Sequence, residues 1–352
     1  MLGTRLLDAL AGPHGVDGYL EQIRPTWVRR ECRARIVAVE YGTPDSATLT
    51  LRPNGSWQGF RAGQFVRVDV EVDGVRRSRC YSPASAAVGH GDLELTVKSH
   101  PGGLVSNFLV ERACPGMFVE LSEADGDFYL PDERPGRILL ISGGSGITPV
   151  MSMLRTLCAE GHAGPVTFLH YAPDPGRAIY REALERLAAD HPNVRLVRSY
   201  TREPGAGELD GHFDRDRLAA AEPRFADAET FACGPPKLLD AVRAAWEGME
   251  KRLHVESFVP PSFAPASESE GTVHFAASGI QAQNDGAPLL EQAESAGLEP
   301  EHGCRMGICR SCSCRKREGR VKNLQSGEVS SGEEEDIQLC ISAPVGDVVL
   351  EL

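Results

Sequence analysis

The sequence predicts a multidomain α+β and α/β chain: an antiparallel β-barrel, then a parallel-sheet domain of dinucleotide-binding type, then a small cysteine-rich domain. Three observations carry this. Apolar and charged residues alternate with period two between about Arg33 and Leu130. Continuous apolar runs separated by helical patterns follow Pro135. Five of the ten cysteines crowd into the last fifty residues.

A chain of 352 residues has room for two or three domains. No apolar run approaches the ~18–20 residues that span a bilayer. Arg5, Asp8 and Gly12 interrupt the N-terminal stretch, which lacks a small-residue cleavage site, so neither a membrane-spanning nor an exported protein is expected. The net charge of −13 leaves no global footprint for nucleic acid or anionic lipid. In an unexported chain of this length, ten cysteines favour metal or redox chemistry over a disulfide framework.

In the first region Val66, Val68, Val70 and Val72 alternate with Arg67, Asp69, Glu71 and Asp73, and Leu93, Leu95 and Val97 with Glu94, Thr96 and Lys98. This places one set inward and the other in water, and several such strands between Gly, Asp and Pro suggest an antiparallel barrel. The first thirty residues read as an irregular or helical lead-in. After Pro135 come strands at Ile138–Ile141, Val166–Tyr171, Val194–Tyr200 and Thr230–Cys233. Helices are expected around Val150–Leu157, Ile179–Ala189 and Leu238–Met249. Pro260–Glu270 is rich in Pro, Ser and Glu and reads as a linker. The domains are therefore expected at 1–133, 134–260 and 271–352, with a linker over 261–270. The last domain carries 7 basic and 13 acidic residues.

Cys304-x4-Cys309-x2-Cys312, with Cys340 twenty-eight positions further on, is the plant-type spacing for a [2Fe–2S] cluster. A short loop wraps three thiolates round one side of the cluster and a distant fourth closes it, while Gly303 and Gly307 let backbone N–H groups approach the sulfurs. A structural zinc site would more often use paired Cys-x2-Cys knuckles, of which one is available. A Rieske centre needs two histidines at ligand spacing, and His302 is alone. Cys314 reads as a core thiol. Glu333–Asp336 reads as a solvated acidic turn, with partner docking as the alternative, and His162, His170, His191 and His212 as structural or surface residues.

Arg79-Cys80-Tyr81-Ser82 ends a strand, and Gly102-Gly103-Leu104-Val105-Ser106 opens a helix about twenty residues later. A helix N-terminus beside a guanidinium suits a diphosphate. Gly143-Gly144-Ser145-Gly146-Ile147-Thr148-Pro149 joins a strand to a helix, with Thr148 expected at the N-cap and a pyrophosphate in the glycine turn. It is neither the Gly-x-Gly-x-x-Gly spacing nor a P-loop. Thr201-Arg202 follows the third strand, where the adenosine ribose belongs. A guanidinium there suits a 2′-phosphate and favours NADPH over NADH, while Glu203 and Asp174 oppose it.

With these motifs the chain from Arg33 to Leu352 resembles the ferredoxin–NADP reductase superfamily, and within it the single-chain reductases that feed oxygenases and desaturases. Phe60-Arg61-Ala62-Gly63-Gln64-Phe65 is typical of their flavin domain. The resemblance implies a β-grasp ferredoxin-like third domain ligating the cluster through Cys304, Cys309, Cys312 and Cys340. It implies that Arg79 holds the flavin phosphate, Tyr81 packs on the ring system and Ser82 bonds near flavin N5, with Cys80, Val97, Lys98 and Gly102 to Ser106 lining the rest. FAD is preferred over FMN. On the nicotinamide side it implies Gly143, Gly144, Gly146, Thr148, Thr201, Arg202, Cys233, Gly234 and Pro235, with Phe258 close to the flavin. Ser82, Thr148 and Cys233 are the candidate catalytic residues.

Flavin accepts a hydride and releases single electrons, so it belongs between NADPH and the cluster. The implied acceptor is the terminal component of a non-haem iron oxygenase, hydroxylase or fatty-acyl desaturase. The reductase itself would be cytoplasmic, peripheral to a membrane where that partner is a membrane desaturase. Arg310 and Ser311 stand where relatives often have Gly and a small residue, and a charge there could shift the cluster potential or the docking surface. A diaphorase or flavin reductase without a dedicated partner and a redox-sensing subunit are the alternatives.

Overall fold

A computed structural model describes residues 31–89, 91–258 and 270–352. The lead-in expected over the first thirty residues and nearly all of the expected linker lie outside these. Three six-stranded sheets follow one another along the chain. The first two share one compact unit, and the third forms most of a second.

The first sheet contains β1 (Cys32–Thr43), β2 (Ser46–Pro53), β3 (Val66–Val72), β4 (Val75–Tyr81), β5 (Leu93–Lys98) and β6 (Phe118–Leu121). They run in the order β4-β3-β6-β1-β2-β5 and curl into a half-barrel. The valines of β3 and Leu93, Leu95 and Val97 of β5 enter one apolar cluster, as alternation requires. The polar set of β3 departs from expectation. Asp69 is buried rather than in water, because Arg67 and Arg76 reach it at 3.4 and 3.0 Å and compensate its charge. Helix α1 (Leu104–Arg112) closes the barrel end with Val105 and Leu109.

The second sheet comprises β7 (Ile138–Gly143), β8 (Val166–Ala172), β9 (Val194–Tyr200), β10 (Leu209–Asp210), β11 (Glu229–Cys233) and β12 (Leu253–Glu256), in the order β10-β9-β8-β7-β11-β12 and parallel throughout. Every residue of β7 and β8 is buried, as in a sheet covered on both faces. Ile138, Leu140 and Phe168 pack toward α2 (Ile147–Ala159) and α3 (Arg181–Asp190). Leu139, Ile141 and Leu169 pack toward α4 (Arg215–Ala221) and α5 (Pro236–Ala245). The strand order reverses at β7, so a ligand crevice is expected beyond its C-terminal end.

Two expected boundaries shift. Helix α2 begins at Ile147 with Gly146 as N-cap, because Gly144–Gly146 forms a 3-10 turn that runs straight into it. Thr148 therefore lies inside the first turn and donates to the Ser145 carbonyl at 3.3 Å. Helix α5 ends at Ala245, four residues early, where Trp246 takes the C-cap.

The third sheet contains β13 (Thr272–Phe275), β14 (Ile280–Gln283), β15 (Ser313–Asn323), β16 (Val329–Ser330), β17 (Glu335–Gln338) and β18 (Ser342–Leu350). Its order is β14-β13-β18-β15-β16, with β17 on β15. The β13–β18 pair is parallel, and α6 (Leu289–Ser295) packs on the sheet in the manner of a β-grasp fold. The acidic turn before β17 is not simply solvated. Glu334 and Asp336 pair with Arg315 at 3.2 and 3.5 Å, and Glu335 pairs at 2.8 Å with Lys316, which is fully buried. Lys316 also donates to the Gly319 carbonyl at 2.7 Å. Removing the carboxylate leaves a buried ammonium short of its partner. Glu335→Ala should therefore destabilise this domain by about 2 kcal/mol, less than for a wholly buried pair because Glu335 is part-exposed. Adding Lys316→Met should recover most of the loss. Hydrogen exchange of the β15 and β18 amides reads both effects, and an unchanged exchange rate in Glu335→Ala would count against the clamp.

Candidate functional site

Strand β4 delivers Arg79, Cys80 and Tyr81, and the chain turns at Ser82. Arg79 Nη1 donates to the Ser78 carbonyl at 2.7 Å, and Tyr81 packs against the barrel core. Ser82 is buried, and its Oγ has no hydrogen-bond partner within the protein. An orphaned hydroxyl of this kind costs about 1–3 kcal/mol unless something else bonds it, and a bound ligand accepting from it would remove that cost. Gly102 has φ +75°, in the left-handed region. Gly103 caps α1, and a methyl on it would lie 2.4 Å from Ser106 Oγ. The first turn of α1 carries no acidic residue and offers N–H groups without intrahelical acceptors. Val97 and Val105 have side chains in the barrel core, which leaves only their backbone for a cofactor. Leu104 is exposed.

The glycine turn meets the end of β11 backbone to backbone. A methyl on Gly146 would lie 2.3 Å from the Cys233 carbonyl oxygen, and one on Gly143 2.8 Å from Pro235 Cδ. A cleft of about 550 Å³ opens beside this contact, bordered by Gly143, Gly144, Thr201 and Pro235, with Lys98, His212 and Lys237 as its cationic or ionisable lining. Tyr171 and Phe213 form an apolar wall, in edge contact at 6.0 Å between centroids. The Arg202 backbone N–H donates to the Pro173 carbonyl at 2.8 Å, and its exposed side chain is not part of the wall. Asp174 is occupied by Arg177, whose backbone N–H and guanidinium it accepts at 3.0 and 2.6 Å.

Cys233 is fully buried, and desolvation, with the Glu256 charge beside it, pushes its thiol well above the ordinary range. It stays a neutral, small packing group rather than a nucleophile. Glu256 lies directly across from it in the β11–β12 register. Its Oε2 is shut from solvent without a partner, and burial pushes the carboxyl up to about 8. Sequence reading left Glu256 without a role, together with Lys237 and His212. No local motif marks any of the three, since only the fold brings Lys237 and His212 to the cleft and Glu256 alongside Cys233. Phe258, two residues beyond Glu256, is exposed.

In the third sheet's domain, the loop from Cys304 to Cys312 leads into β15, and Cys340 sits in a 3-10 turn before β18. Cys304 N–H donates to Cys309 Sγ at 3.1 Å, and the N–H groups of Met306 and Cys309 both reach Cys304 Sγ at 3.3 Å. A methyl on Gly303 would lie 2.7 Å from Cys309 Sγ. Gln338 Nε2 fixes the Gly307 carbonyl at 2.7 Å. Arg305 pairs with Glu294 of α6, and both Arg305 and Arg310 hold the left-handed φ of 55°. A thiol hydrogen bond joins Cys304 with Cys309, and another joins Cys312 with Cys340. The shared thiol hydrogen bond lowers Cys309 well below its ordinary range and Cys312 to about 7. Among the described residues no three ligating groups gather as a single-ion site. The thiol pairs, with backbone N–H groups directed at Cys304 and Cys309 Sγ, suit the plant-type two-iron spacing. The Cys314 thiol instead faces the Glu351 carbonyl, at 3.6 Å.

Because Glu256 keeps its proton to about pH 8 when folded, against about 4.3 for a free side chain, the folded state binds more protons across that window. Its contribution to stability is complete below the unfolded value and falls as pH rises toward 8. Glu256→Gln cannot ionise, so its melting temperature should match the wild type near pH 5 and exceed it at pH 8. Parallel melting profiles for the two proteins would show that the carboxyl is already ionised at neutral pH.

The sequence matches the oxidoreductase FAD-binding domain over residues 34–129, the oxidoreductase NAD-binding domain over 140–244 and the 2Fe-2S iron-sulfur cluster binding domain over 273–345. It is 39% identical over 343 residues to an NADPH oxidoreductase of Mycobacterium tuberculosis, covering 96% of this chain and 88% of the relative. It is 31% identical to the glycine betaine monooxygenase reductase subunit of Pseudomonas aeruginosa, covering 93% and 96%. Among solved structures, phthalate dioxygenase reductase superposes with a TM-score of 0.57 at 25% identity, covering 91% of this chain and 97% of that one. With FAD-, NAD- and cluster-binding domains in that order on this fold, the chain belongs to the ferredoxin–NADP reductase superfamily, among the oxygenase reductases that carry a C-terminal [2Fe–2S] domain.

Proposed function

We propose that this chain draws electrons specifically from NADPH and delivers them to the terminal component of a non-haem iron oxygenase, hydroxylase or fatty-acyl desaturase, working in the cytoplasm. The observation that carries the coenzyme assignment is the cleft at the switch point: Lys98 and Lys237 line it, and Arg202 follows Thr201, which borders it. Cations of this kind suit a coenzyme with an additional phosphate. The relative named as an NADPH oxidoreductase supports the same reading. The acceptor assignment is supported by relatives named as reductase components of glycine betaine and 3-ketosteroid monooxygenases. Among the described residues no helix is long and apolar enough to cross a membrane.

A flavin held here would supply the exchange between two-electron hydride and single-electron chemistry that links a nicotinamide to an iron–sulfur cluster. The residues do the positioning, in domains assigned to 1–133, 134–260 and 271–352. Arg79 and the head of α1 (Gly102 to Ser106) hold the flavin diphosphate, and FAD fits this segment better than FMN. Tyr81 and Cys80 flank the ring system, Ser82 donates to its reacting edge, and Val97 and Lys98 carry backbone and charge beside it. Gly143, Gly144 and Gly146 admit the coenzyme pyrophosphate, with Thr201 and Arg202 at the ribose. Thr148, Cys233, Gly234 and Pro235 shape the floor under the nicotinamide, and Phe258 stands close to the flavin. Cys304, Cys309, Cys312 and Cys340 ligate the cluster.

Anaerobic reduction of the purified protein by NADPH and NADH in parallel tests the coenzyme assignment. NADPH should give the higher kcat/KM by about ten-fold or more, and Arg202→Ala should cut that preference, with the loss falling on KM. Equal kcat/KM for the two coenzymes would refute it. Acceptor reduction should weaken as salt rises, since the third domain carries a net charge of −6. A salt-independent rate would refute an electrostatically guided acceptor.

A further inference from the structure

Helix α2 starts at the nicotinamide-side glycine turn and, two turns later, grips the segment that follows Ser82. Ser152 Oγ donates to the Ser85 carbonyl at 2.7 Å, Arg155 Nη1 to the Ala84 carbonyl at 2.8 Å, and Thr156 Oγ1 accepts from the Ala87 N–H at 2.9 Å. These three residues share one helical face, and Ser152 and Thr156 are almost wholly buried. The same Arg155 guanidinium pairs with Glu94 of β5 at 2.5 Å, with four-fifths of its side chain out of solvent, and lies over the Tyr180 ring at 4.8 Å. Tyr180 in turn bonds Thr96, also of β5, through its hydroxyl. It does so from a left-handed backbone, φ 60°, at the start of α3, a conformation that costs a non-glycine residue about 1 kcal/mol or more.

We infer that α2 is a ruler between the two reacting sites and that Arg155 is its positioning residue. At one end of the helix lies Thr148, under the nicotinamide. About 10 Å along it, by the rise of 1.5 Å per residue, Arg155 fixes the segment two residues beyond Ser82, and through Glu94 the strand that continues into Val97 and Lys98. Apolar packing joins the same elements, with Ala84 and Phe128 in one cluster with Ile147, Met151 and Leu154, but such packing alone sets register weakly. Directional bonds from one side chain to two elements, with a ring contact to a third, set it firmly. The inference rests on the assignment of Ser82 and Thr148 to the flavin and nicotinamide sites.

The test is Arg155→Gln in the full-length holoprotein. Flavin reduction at saturating NADPH, followed by anaerobic stopped flow, should slow about ten- to hundred-fold, as an ångström-scale misplacement does. The long-wavelength charge-transfer band between reduced flavin and NADP⁺ should weaken, while the NADP⁺ dissociation constant stays within about three-fold of the wild type. Amide exchange over Ala84–Ala87 should quicken several-fold, because one of the three side-chain bonds from α2 that hold this segment is lost. Arg155→Lys, which keeps the charge but not the fork, should recover part of the rate. If Arg155→Gln does not fold, Glu94→Gln and Tyr180→Phe carry the same readouts with smaller changes. A wild-type reduction rate with an undiminished charge-transfer band overturns the ruler, however far the melting temperature falls. Ser82→Ala keeps the two readings apart: a wild-type rate there removes the Ser82 assignment, while the exchange and charge-transfer data on Arg155→Gln still decide the ruler.

Discussion

The nicotinamide half of the molecule depends on one close approach, the backbone of Gly143–Gly146 against the backbone of Cys233–Gly234. No side chain fits between them: a methyl on Gly146 would stand 2.6 Å from the Gly234 nitrogen, and one on Gly234 3.1 Å from the Gly143 nitrogen. Two chain segments about ninety residues apart are thereby made one surface at the point where the strand order reverses. From that contact follow the direction in which α2 leaves the sheet and the burial of Cys233. The cleft mouth beside Pro235 follows as well. A larger residue at either glycine would push the helix head away from β11 and open the sheet at its switch point.

Against that rigid background, several buried polar atoms of the described residues are left without partners, among them Ser82 Oγ, Tyr171 Oη and Glu256 Oε2. Proteins rarely leave such groups buried and unbonded, because each gives up its hydration for nothing. Ser82 lies on the flavin signature, Tyr171 on the cleft wall, and Glu256 across from Cys233. These three positions coincide with the motifs for two organic cofactors, where a ligand can use their bonding capacity, whereas those of His162, His170, Gln292 and Ser311 lie elsewhere.

The motifs with fixed spacing were legible in the sequence because their physics is local. Cys304, Cys309 and Cys312 must sit on one loop, the glycine turn must precede a helix, and fully buried strands must be apolar throughout. The architecture followed from the change of period after Pro135. What escaped the sequence depends on register or long-range charge. Glu256 faces Cys233 only because β12 pairs with β11. Asp69 is buried only because Arg76 comes from the next strand, and the acidic turn is neutralised only because β17 pairs with β15 and brings Arg315 and Lys316 alongside. The N-cap went to Gly146 rather than Thr148 because the preceding 3-10 turn extends the helical path, which cap preferences alone do not foresee. Arg155 and Tyr180 belong to patterns that read simply as helix interior and helix start, and their partners lie in the other sheet.

The division of labour between the two compact units follows from the chemistry each must support. Moving a hydride between two rings demands near-contact geometry, with reacting atoms about 3–3.5 Å apart. That demand explains why segments flanking the first sheet share an apolar cluster with the second and are further tied to it by Arg155, Ser152 and Thr156. Passing single electrons makes and breaks no bond to a transferred atom. The third domain accordingly has its own sheet, its own apolar core and its own internal charge pairing. With Glu334, Glu335 and Asp336 committed to Arg315 and Lys316, an acceptor meets a surface whose negative field comes from the domain's overall balance rather than from that turn. A field spread in this way can steer a basic partner from a distance without prescribing a single docked contact.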